Sequence, residues 1–289
     1  MPVLYDRKSK EYIDDNKKSK VLQFLYKTPV GRGVLKIFVI NPVTSKIGGV
    51  FINTKISRVK IKGFIKKNSI NMKEYEIKKY KSFNDFFTRK IDLSNRPMSS
   101  NEEDFISPAD SKLLVYKITK DLRLNIKKSN YSLDELVKKH YDLSDYKNGY
   151  ALVFRLSVDD YHHYCYIDDG KTLEVNEIKG KLHTVQSISE DYKIYSENHR
   201  IYSVLDTKNF GEMVYMEVGA IMVGKIVNRE LINFTKGEEK GYFKMGGSTI
   251  VVLIKDNKVQ LDQDILDNSS KGIETIVKYR ETIGKRISN

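Results

Sequence analysis

Gly246-Gly-Ser-Thr249 leads directly into the apolar run Thr249–Ile254, and this junction of a turn and a strand decides how the chain is organised. Two glycines before a serine predict a tight turn, and the β-branched run after them predicts a buried strand. Two polar motifs lie upstream, Ser107-Pro-Ala-Asp110 and Asp159-Asp-Tyr-His-His163. The three motifs supply an aspartate, a histidine and a serine, which is a set that activates a serine hydroxyl.

The composition favours a globular chain with a sizeable buried core. The 289 residues are 40% hydrophobic, which allows one large domain or two small ones. A single cysteine, Cys165, excludes an intrachain disulfide and fits a reducing compartment. No apolar run reaches the roughly 18 residues that a membrane-spanning helix needs, so we expect no such helix.

The positive charge is concentrated at one end of the chain. The formal net charge is +13, yet residues 1–90 carry 22 Lys and Arg against 7 Asp and Glu. Between Asn16 and Lys73 there is no acidic residue. Apolar clusters, such as Phe24-Leu-Tyr26 and Val34–Ile40, are interspersed with these bases. The basic surplus therefore belongs to the N-terminal part.

Three interpretations fit this basic segment. It is a solvated face of ordinary helices, a surface that neutralises nucleic-acid phosphates, or a segment that lies in a membrane interface. The mixture of bases and apolar clusters favours the third, because each base near an anionic lipid surface contributes about 1 kcal/mol. We therefore predict a basic, amphipathic membrane-docking part, and we expect no nucleic acid as a partner.

The N-terminal part is predicted to be helical. Val21–Tyr26 and Val34–Ile40 are predicted as short helices, separated by a turn at Thr28-Pro-Val-Gly-Arg-Gly33 because it holds a proline and two glycines. Residues 44–79 are predicted to be helical in part. A capped helix is predicted to begin at Ser82, since Asp85 follows three residues later and aromatic residues come next.

After Phe105 the pattern becomes typical of β-structure, with a helix predicted at Ser132–Tyr141. We therefore predict an α+β fold, in which a helical, basic part of residues 1–90 precedes a β-rich core of mainly antiparallel strands, residues 91–289. The predicted strands are Lys112–Ile118, Tyr150–Val158, Tyr164–Ile167, Lys181–Val185, Ile201–Leu205, Glu212–Val218, Ile221–Val227 and Thr249–Ile254.

Eight motifs occur in an order that resembles the phosphatidylserine decarboxylase family, in its bacterial branch with GGST in place of LGST. The match runs from about residue 20 to the end of the chain, and the combination is far more specific than any single motif. The motifs are Tyr80-Lys-Ser-Phe-Asn-Asp-Phe-Phe-Thr-Arg89, Arg96-Pro97, Ser107-Pro-Ala-Asp110, Asp160-Tyr-His162, Gly180-Lys-Leu-His-Thr-Val185, Glu197-Asn-His-Arg200, Val218-Gly-Ala-Ile-Met-Val-Gly224 and Gly246-Gly-Ser-Thr249.

The resemblance implies a proenzyme that cleaves itself between Gly247 and Ser248. The products would be a β chain of residues 1–247 and an α chain of residues 248–289, and Ser248 would become a covalent pyruvoyl group at the start of the α chain. That group would form a Schiff base with the amine of phosphatidylserine and accept the electrons released with CO2, giving phosphatidylethanolamine. The scheme requires no metal and no nucleotide.

The resemblance also suggests how the bond is cut. A serine hydroxyl is a weak nucleophile that needs an adjacent base, so we expect His162 to activate Ser248 and Asp110 to orient the imidazole. The Ser248 hydroxyl would attack the Gly247 carbonyl and leave an ester. Loss of the Ser248 α-proton would eliminate that ester to dehydroalanine, and hydrolysis would release ammonia and leave the ketone.

Other polar residues have less definite roles. Many family members carry a second histidine three positions after the first, where this chain has Cys165, so we expect His162 alone to serve the serine while Cys165 packs or weakly assists. His183 is expected either to contact the lipid headgroup or to pack. His163 and His199 are expected to be structural or exposed. Taken alone, Asp110 also fits an ordinary turn residue.

The resemblance implies phosphatidylserine and an anionic membrane surface as partners, together with the association of the protein's own α and β chains. It implies a peripheral protein on the cytoplasmic face of the cell membrane, and a homodimer stays open. Two alternatives remain at this point. One is a pyruvoyl decarboxylase of another serine-headed lipid or of a soluble amino acid. The other is an uncleaved, inactive relative that binds lipid or nucleic acid.

Overall fold

A computed structural model of the protein describes residues 3–14, 24–25, 27–34, 50–126, 129–181, 194–219, 225–246 and 248–287. The fold is a mixture of helices and mostly antiparallel sheets, so the α+β class is confirmed. The strands are β1 Val3–Asp6, β2 Glu11–Asp14, β3 Asp104–Ile106, β4 Ser111–Lys117, β5 Arg123–Ile126, β6 Ser129–Ser132, β7 Tyr150–Leu156, β8 His163–Cys165, β9 Gly170–Ile178, β10 Arg200–Thr207, β11 Gly211–Val218, β12 Ile226–Asn228, β13 Asn233–Phe234, β14 Glu239–Phe243, β15 Ser248–Ile254, β16 Val259–Leu261, β17 Glu274–Val277 and β18 Thr282–Arg286.

A ten-stranded sheet forms the centre of the molecule, in the order β13-β9-β10-β11-β15-β7-β4-β17-β1-β2. Its pairs are antiparallel except for β1 with β17. Strand β15 lies between β11 and β7, with Thr249 opposite Val218 and Ser248 opposite Leu156. All seven residues of β15 are buried, because both faces of the sheet are covered at this position. The predicted strand Thr249–Ile254 is therefore confirmed as a central strand.

Three smaller sheets complete the β-structure. One, in the order β12-β14-β8, carries His163, the last residue of the motif Asp159–His163, and packs Tyr164, Cys165 and Phe243 into the main core. The others are β16-β18-β3 and the hairpin β5-β6. The predicted strands near residues 112, 150, 201 and 212 are confirmed with shifted ends, whereas most of the strand predicted at Lys181–Val185 lies outside the described residues.

Short helices surround the sheets. They are α1 Pro29–Val34, α2 Lys60–Lys67, α3 Phe83–Phe87, α4 Leu133–Val137, α5 Ile194–Glu197 and α6 Gln263–Ser270, together with 3₁₀ turns at Lys55–Val59, Met72–Glu74, Leu93–Asn95 and Ser144–Tyr146. The capped helix predicted at Ser82 is confirmed, since its side chain accepts a hydrogen bond from the N–H of Asp85. Helix α4 is shorter than predicted because Lys138 has a positive φ and ends it.

The helical N-terminal part is not confirmed. Its first described residues form the hairpin β1–β2, and β1 joins the central sheet through β17. The turn predicted at Thr28–Gly33 is helix α1 instead, because Pro29 occupies its first position and the Thr28 hydroxyl accepts the N–H of Gly31. The predicted helix Val34–Ile40, apart from its first residue, lies outside the described residues, as does most of Val21–Tyr26.

No helix within the described ranges is long and apolar enough to cross a bilayer.

Candidate active site

Ser248 stands at the start of the central strand, fully buried. Its hydroxyl Oγ has no hydrogen-bond partner among the described residues, which is costly for a buried polar atom and is common at reactive sites. Gly246, two residues earlier, has a φ of 148°, a conformation that side chains other than glycine rarely adopt. Gly247 itself lies outside the described residues. The predicted turn before the strand therefore depends on glycine at position 246.

His162 lies against this turn. Its Nε2 is 3.1 Å from the main-chain oxygen of Gly246, and its Nδ1 is 2.9 Å from the main-chain oxygen of Asp160. The ring is fully buried and packs 4.2 Å from the ring of Phe87. Burial lowers the pKa of His162 to about 3, and the positive charge of Arg89 also lowers it. The imidazole is therefore neutral at physiological pH.

Helix α3 holds both halves of this contact. Its Phe87 supplies the ring beside His162, and the side-chain oxygen of Asn84 accepts the N–H of Met245, 3.2 Å away. Phe83, Phe86 and Phe87 are all buried, which anchors the helix below the turn. The aromatic residues that the sequence placed on the core side of the helix therefore also position the site.

A buried ion pair fixes the loop before His162. Lys112 of β4 contacts both carboxylate oxygens of Asp160 at 2.8 and 2.6 Å, and Asp160 also accepts the N–H of Ser157 at 2.6 Å. Burial raises the pKa of Asp160, and Lys112 opposes that shift. Because the main-chain oxygen of the same Asp160 faces His162, the ion pair sets the orientation of the imidazole.

Asp110 is buried, but other groups occupy both of its oxygens. Arg96 donates to it twice, at 3.1 and 2.8 Å, and the N–H of Tyr279 donates at 2.7 Å. Lys278 lies 3.8 Å away. Burial raises the pKa of Asp110, but Lys278 and Arg96 more than offset this and hold it below its usual range, so the group is ionised. No hydrogen bond joins Asp110 and His162 among the described residues.

Cys165 lies close to the Asp110 turn rather than in contact with the serine turn. Its N–H donates to the oxygen of Pro108 at 3.0 Å, and the side chain of Tyr279 faces its thiol. Burial raises the pKa of the thiol to about 12, so it is neutral. Tyr279 thus contacts both Asp110 and Cys165. His183 lies outside the described residues.

The structure therefore brings His162 to the Ser248 turn and places Asp110 with a different set of partners. Sequence reasoning assigned no role to Arg96 or Asp160, although both stand in the quoted motifs, and it missed Lys112. One residue of the motif Glu197–Arg200 has a structural role, since the buried Arg200 side chain donates hydrogen bonds to four main-chain oxygens. No group of three His, Cys, Asp or Glu side chains suited to a metal occurs in the described part of the chain.

An apolar cavity of about 360 Å³ opens beside the same turn. Met245 lines this cavity, and the ammonium of Lys60 lies 4.9 Å from the centre of the Phe51 ring. The lining residues are Phe51, Ile52, Lys60, Gly63, Phe64, Lys67, Phe83 and Met245. The cavity therefore combines a hydrocarbon wall with two exposed lysines next to the site.

The fold and the site together define an α+β protein in which a buried serine, at the head of a central strand, lies one short turn away from a neutral histidine. These are the components of nucleophilic serine chemistry.

Comparison with known proteins makes the assignment specific. A family model described as phosphatidylserine decarboxylase matches residues 83–285. The chain is 51% identical over 284 residues to phosphatidylserine decarboxylase proenzyme 2 of Clostridium acetobutylicum, covering 98% of each chain. It is 39% identical over 293 residues to the phosphatidylserine decarboxylase proenzyme of Clostridium botulinum, covering 98% of each chain. The chain belongs to the phosphatidylserine decarboxylase family, and the resemblance inferred from the motifs is confirmed.

Proposed function

We propose that this protein is a self-cleaving, pyruvoyl-dependent decarboxylase that converts phosphatidylserine to phosphatidylethanolamine and CO2. Cleavage between Gly247 and Ser248 gives a β chain of residues 1–247 and an α chain of residues 248–289. The observation that carries the proposal is the contact of His162 with the Gly246 carbonyl, next to the unpartnered Ser248 hydroxyl. The names of the relatives, which are proenzymes, favour self-processing over an uncleaved binding module.

The buried imidazole suits the role of base. Both ring nitrogens face main-chain oxygens, and the shorter contact, 2.9 Å from Nδ1 to Asp160 against 3.1 Å from Nε2 to Gly246, favours the tautomer with the proton on Nδ1. That tautomer leaves the lone pair of Nε2 at the serine turn. His162 accepts the Ser248 proton as Oγ attacks the carbonyl carbon of Gly247, and returns it to the amine that leaves. The ester that results then loses its serine α-proton and eliminates.

Asp110 belongs to the proposed site as the anion of a fixed charge cluster. Its pairing with Arg96 and Lys278 links residues on both sides of the cleaved bond, because Lys278 and Tyr279 lie in the α chain. In this arrangement the carboxylate orders the wall of the site, and the main-chain oxygen of Asp160 orients His162. Cys165, as a neutral buried thiol, packs beside Tyr279.

The residues at the turn fit a pyruvoyl group derived from Ser248, because the Ser248 side chain is buried and makes no hydrogen bond that conversion to a ketone would break. Such a ketone supplies an electrophile for the substrate amine and an acceptor for the electrons released with CO2. The apolar cavity beside Met245 suits the hydrocarbon part of a lipid, and Lys60 and Lys67 suit its anionic headgroup. His183 remains a candidate for a headgroup contact.

The basic N-terminal part, residues 1–90, is proposed to dock on an anionic membrane surface. Helix α2 presents Lys60, Lys66 and Lys67 to solvent, and the preceding turn exposes the apolar side chains of Ile56 and Val59. Bases beside exposed apolar groups are typical of interfacial segments. Residues 91–289 are proposed as the catalytic core, with the hairpin β1–β2 contributing to its sheet. The proposed location is the cytoplasmic face of the cell membrane.

Intact-mass measurement of the purified protein tests the proposal. We expect two fragments that correspond to residues 1–247 and 248–289, with the mass of a pyruvoyl group replacing the first serine of the smaller one. Incubation with phosphatidylserine and borohydride should add the mass of the reduced lipid adduct to the smaller fragment alone. An unmodified chain of 33.6 kDa that still binds phosphatidylserine vesicles would support the binding module instead.

Two variants test whether Ser248 and His162 carry out the proposed self-cleavage. Ser248→Ala and His162→Ala should both remain uncut, the second because general base catalysis contributes a factor of about 100 to 10,000. His199→Ala is the matched control, since His199 is partly exposed and faces Glu177 of β9. Normal processing of His162→Ala would remove His162 from the mechanism.

A further inference from the structure

His163 is a buried histidine beside the site that the proposed chemistry leaves without a role. It begins β8, and only 4% of its side chain is exposed. Its ring lies between the rings of Tyr161 and Tyr242, at centroid distances of 4.9 and 5.0 Å and interplanar angles of 12° and 26°. A histidine stacked on both faces in this way has a fixed ring plane, so its two nitrogens have fixed directions.

Both ring nitrogens of His163 face acceptors. Nδ1 lies 2.9 Å from Oε2 of Glu239, and Nε2 lies 3.2 Å from the main-chain oxygen of Thr88. A neutral imidazole carries one N–H and satisfies only one of these contacts, whereas an imidazolium donates to both. Aromatic rings on both faces also favour a cation. Both acceptors of His162 are uncharged main-chain oxygens, whereas one acceptor of His163 is a carboxylate, so the geometry around His163 matches its protonated form.

The charges around the ring are consistent with that form. Burial raises the pKa of Glu239, but the hydrogen bond and charge of His163, with Arg229, lower it below its usual range. The side chain of Arg89, the residue after Thr88, donates to the Tyr75 hydroxyl and to the main-chain oxygen of Asp159. The described charged or titratable groups that face His163, or that act on its partner, are Glu239, Arg229, Lys90, Tyr161 and Tyr242.

The contact with Thr88 connects this ring to the site. Thr88 is the residue that ends helix α3, where main-chain oxygens favour a cation. The same helix packs Phe87 on His162 and, through Asn84, holds the N–H of Met245. The two hydrogen bonds of the His163 ring therefore connect the end of helix α3 to Glu239 of strand β14.

We propose that His163 is a positioning residue that acts as an imidazolium, linking Glu239 to the end of helix α3 and thereby holding His162 against the Gly246 carbonyl, two residues before Ser248, for self-cleavage. A ring without that proton would donate to only one of the two acceptors, so helix α3 would be held less firmly. The proposal rests on the proposed self-cleavage. Because His162 is already neutral well below pH 6, it contributes no such change between about pH 6 and pH 9.

Glu239→Gln provides the test, because the amide donates to Nδ1 and lets a neutral ring donate through Nε2 to Thr88. The full-length uncut chain is made by cell-free synthesis, shifted to pH values from about 6 to 9, and followed on denaturing gels. We expect the rate of wild-type cleavage, divided by that of Glu239→Gln, to fall about tenfold over this range. A constant ratio would overturn the proposal.

Two controls complete the experiment. Glu238→Gln changes the neighbouring carboxylate, which bonds to Thr235, and should keep the wild-type profile. His163→Phe should cleave at least about tenfold more slowly at low pH. If the wild-type chain gives no fragments at any pH, the proposed self-cleavage fails. Nitrogen NMR of the labelled uncut chain then tests the role of His163 separately. A singly protonated His163 ring at about pH 6 contradicts the proposal, and a doubly protonated ring supports it.

Discussion

At the scale of the residue, His162 combines two properties that rarely occur together. It is completely buried, yet both of its nitrogens face main-chain oxygens, so the neutral ring satisfies only one contact while burial opposes the charge that would satisfy both. The result is an imidazole that stays neutral and keeps one unshared lone pair. Such a group is suited to accept a proton from a nearby hydroxyl.

This burial predicts how stability depends on pH. The pKa of His162 is about 3 in the folded chain and about 6.5 in the unfolded chain, so unfolding takes up a proton between these values. The stabilising contribution is present above about pH 6.5 and is lost as the pH falls toward 3, by at most about 1.4 kcal/mol per pH unit.

Denaturant unfolding of the uncut Ser248→Ala chain measures this effect. Comparison with the double variant Ser248→Ala, His162→Gln isolates it, because all other titrating groups are shared. The difference in unfolding free energy between the two proteins should shrink as the pH is lowered from 6.5. A difference that stays constant with pH would show that the ring is already charged in the folded state.

The sequence motifs pointed to Ser248 and His162, which the structure brings close to the same turn, but not to the groups that surround Asp110. Ser248 and His162 were predicted because a glycine-rich turn, an apolar run and an ordered set of motifs are visible in one dimension. The partners of Asp110 were not, since Arg96 and Tyr279 are distant in sequence and only the folded chain brings them together. Nor does any local sequence pattern reveal that Nδ1 of His162 lies within hydrogen-bond distance of the main-chain oxygen of Asp160.

At the scale of the element, local chemistry predicted some segments and failed for others. Helix α3 was predicted correctly because its cap and its aromatic face agree. Helix α1 was missed because a segment with one proline and two glycines is typical of a turn. Proline is nevertheless well tolerated at the first position of a helix, which is where Pro29 lies. Strand β9 was missed because its pattern contains exposed Leu173 and Val175 among polar residues, and its pairing with β10 and β13, which are distant in the chain, stabilises it.

Helix α3 also offers a test of positioning that does not touch the reacting groups. Asn84→Ala removes the acceptor of the Met245 N–H and the donor to Asn53, which should lower the unfolding free energy by about 1–3 kcal/mol. Because Met245 leads into the turn, cleavage should slow by about tenfold or more, as followed by the gel assay. Asn95→Ala is the matched control, since its side chain makes one long contact, 3.5 Å, at an exposed site. Unchanged cleavage in Asn84→Ala would show that the turn is held without the helix.

At the scale of the whole molecule, the segments before and after the proposed cleavage site are extensively paired with each other. The hairpin β1–β2 pairs with β17, and Arg7 contacts carboxylates of Asp262, Asp264 and Glu281, all beyond the proposed cleavage site. Strand β15 is likewise held between β11 and β7, two strands of the proposed β chain. The two products of cleavage therefore share one sheet. This interleaving was invisible in the sequence, because the basic composition of residues 1–90 suggested a separate helical part.

The basic surface gives the last prediction, which concerns membrane docking. The net charge of +13 is concentrated before residue 90, and α2 carries exposed lysines next to the apolar cavity. The protein should co-sediment with vesicles containing anionic lipid, and raising the salt from about 0.05 to 0.5 M should release it, because surface charges are screened. Lys60→Glu with Lys67→Glu should weaken binding by at least about tenfold, since two charges are reversed.

The matched control is Lys171→Glu with Lys208→Glu, which reverses the same number of exposed lysines in the β-rich part. Those lysines contact Asp206 and Glu102 at the surface, so their loss costs little stability and should leave vesicle binding almost unchanged. Equal weakening by both pairs would mean that only the overall charge attracts the protein. Equal binding to neutral vesicles at high salt would instead assign docking to the exposed apolar side chains, such as Ile56 and Val59.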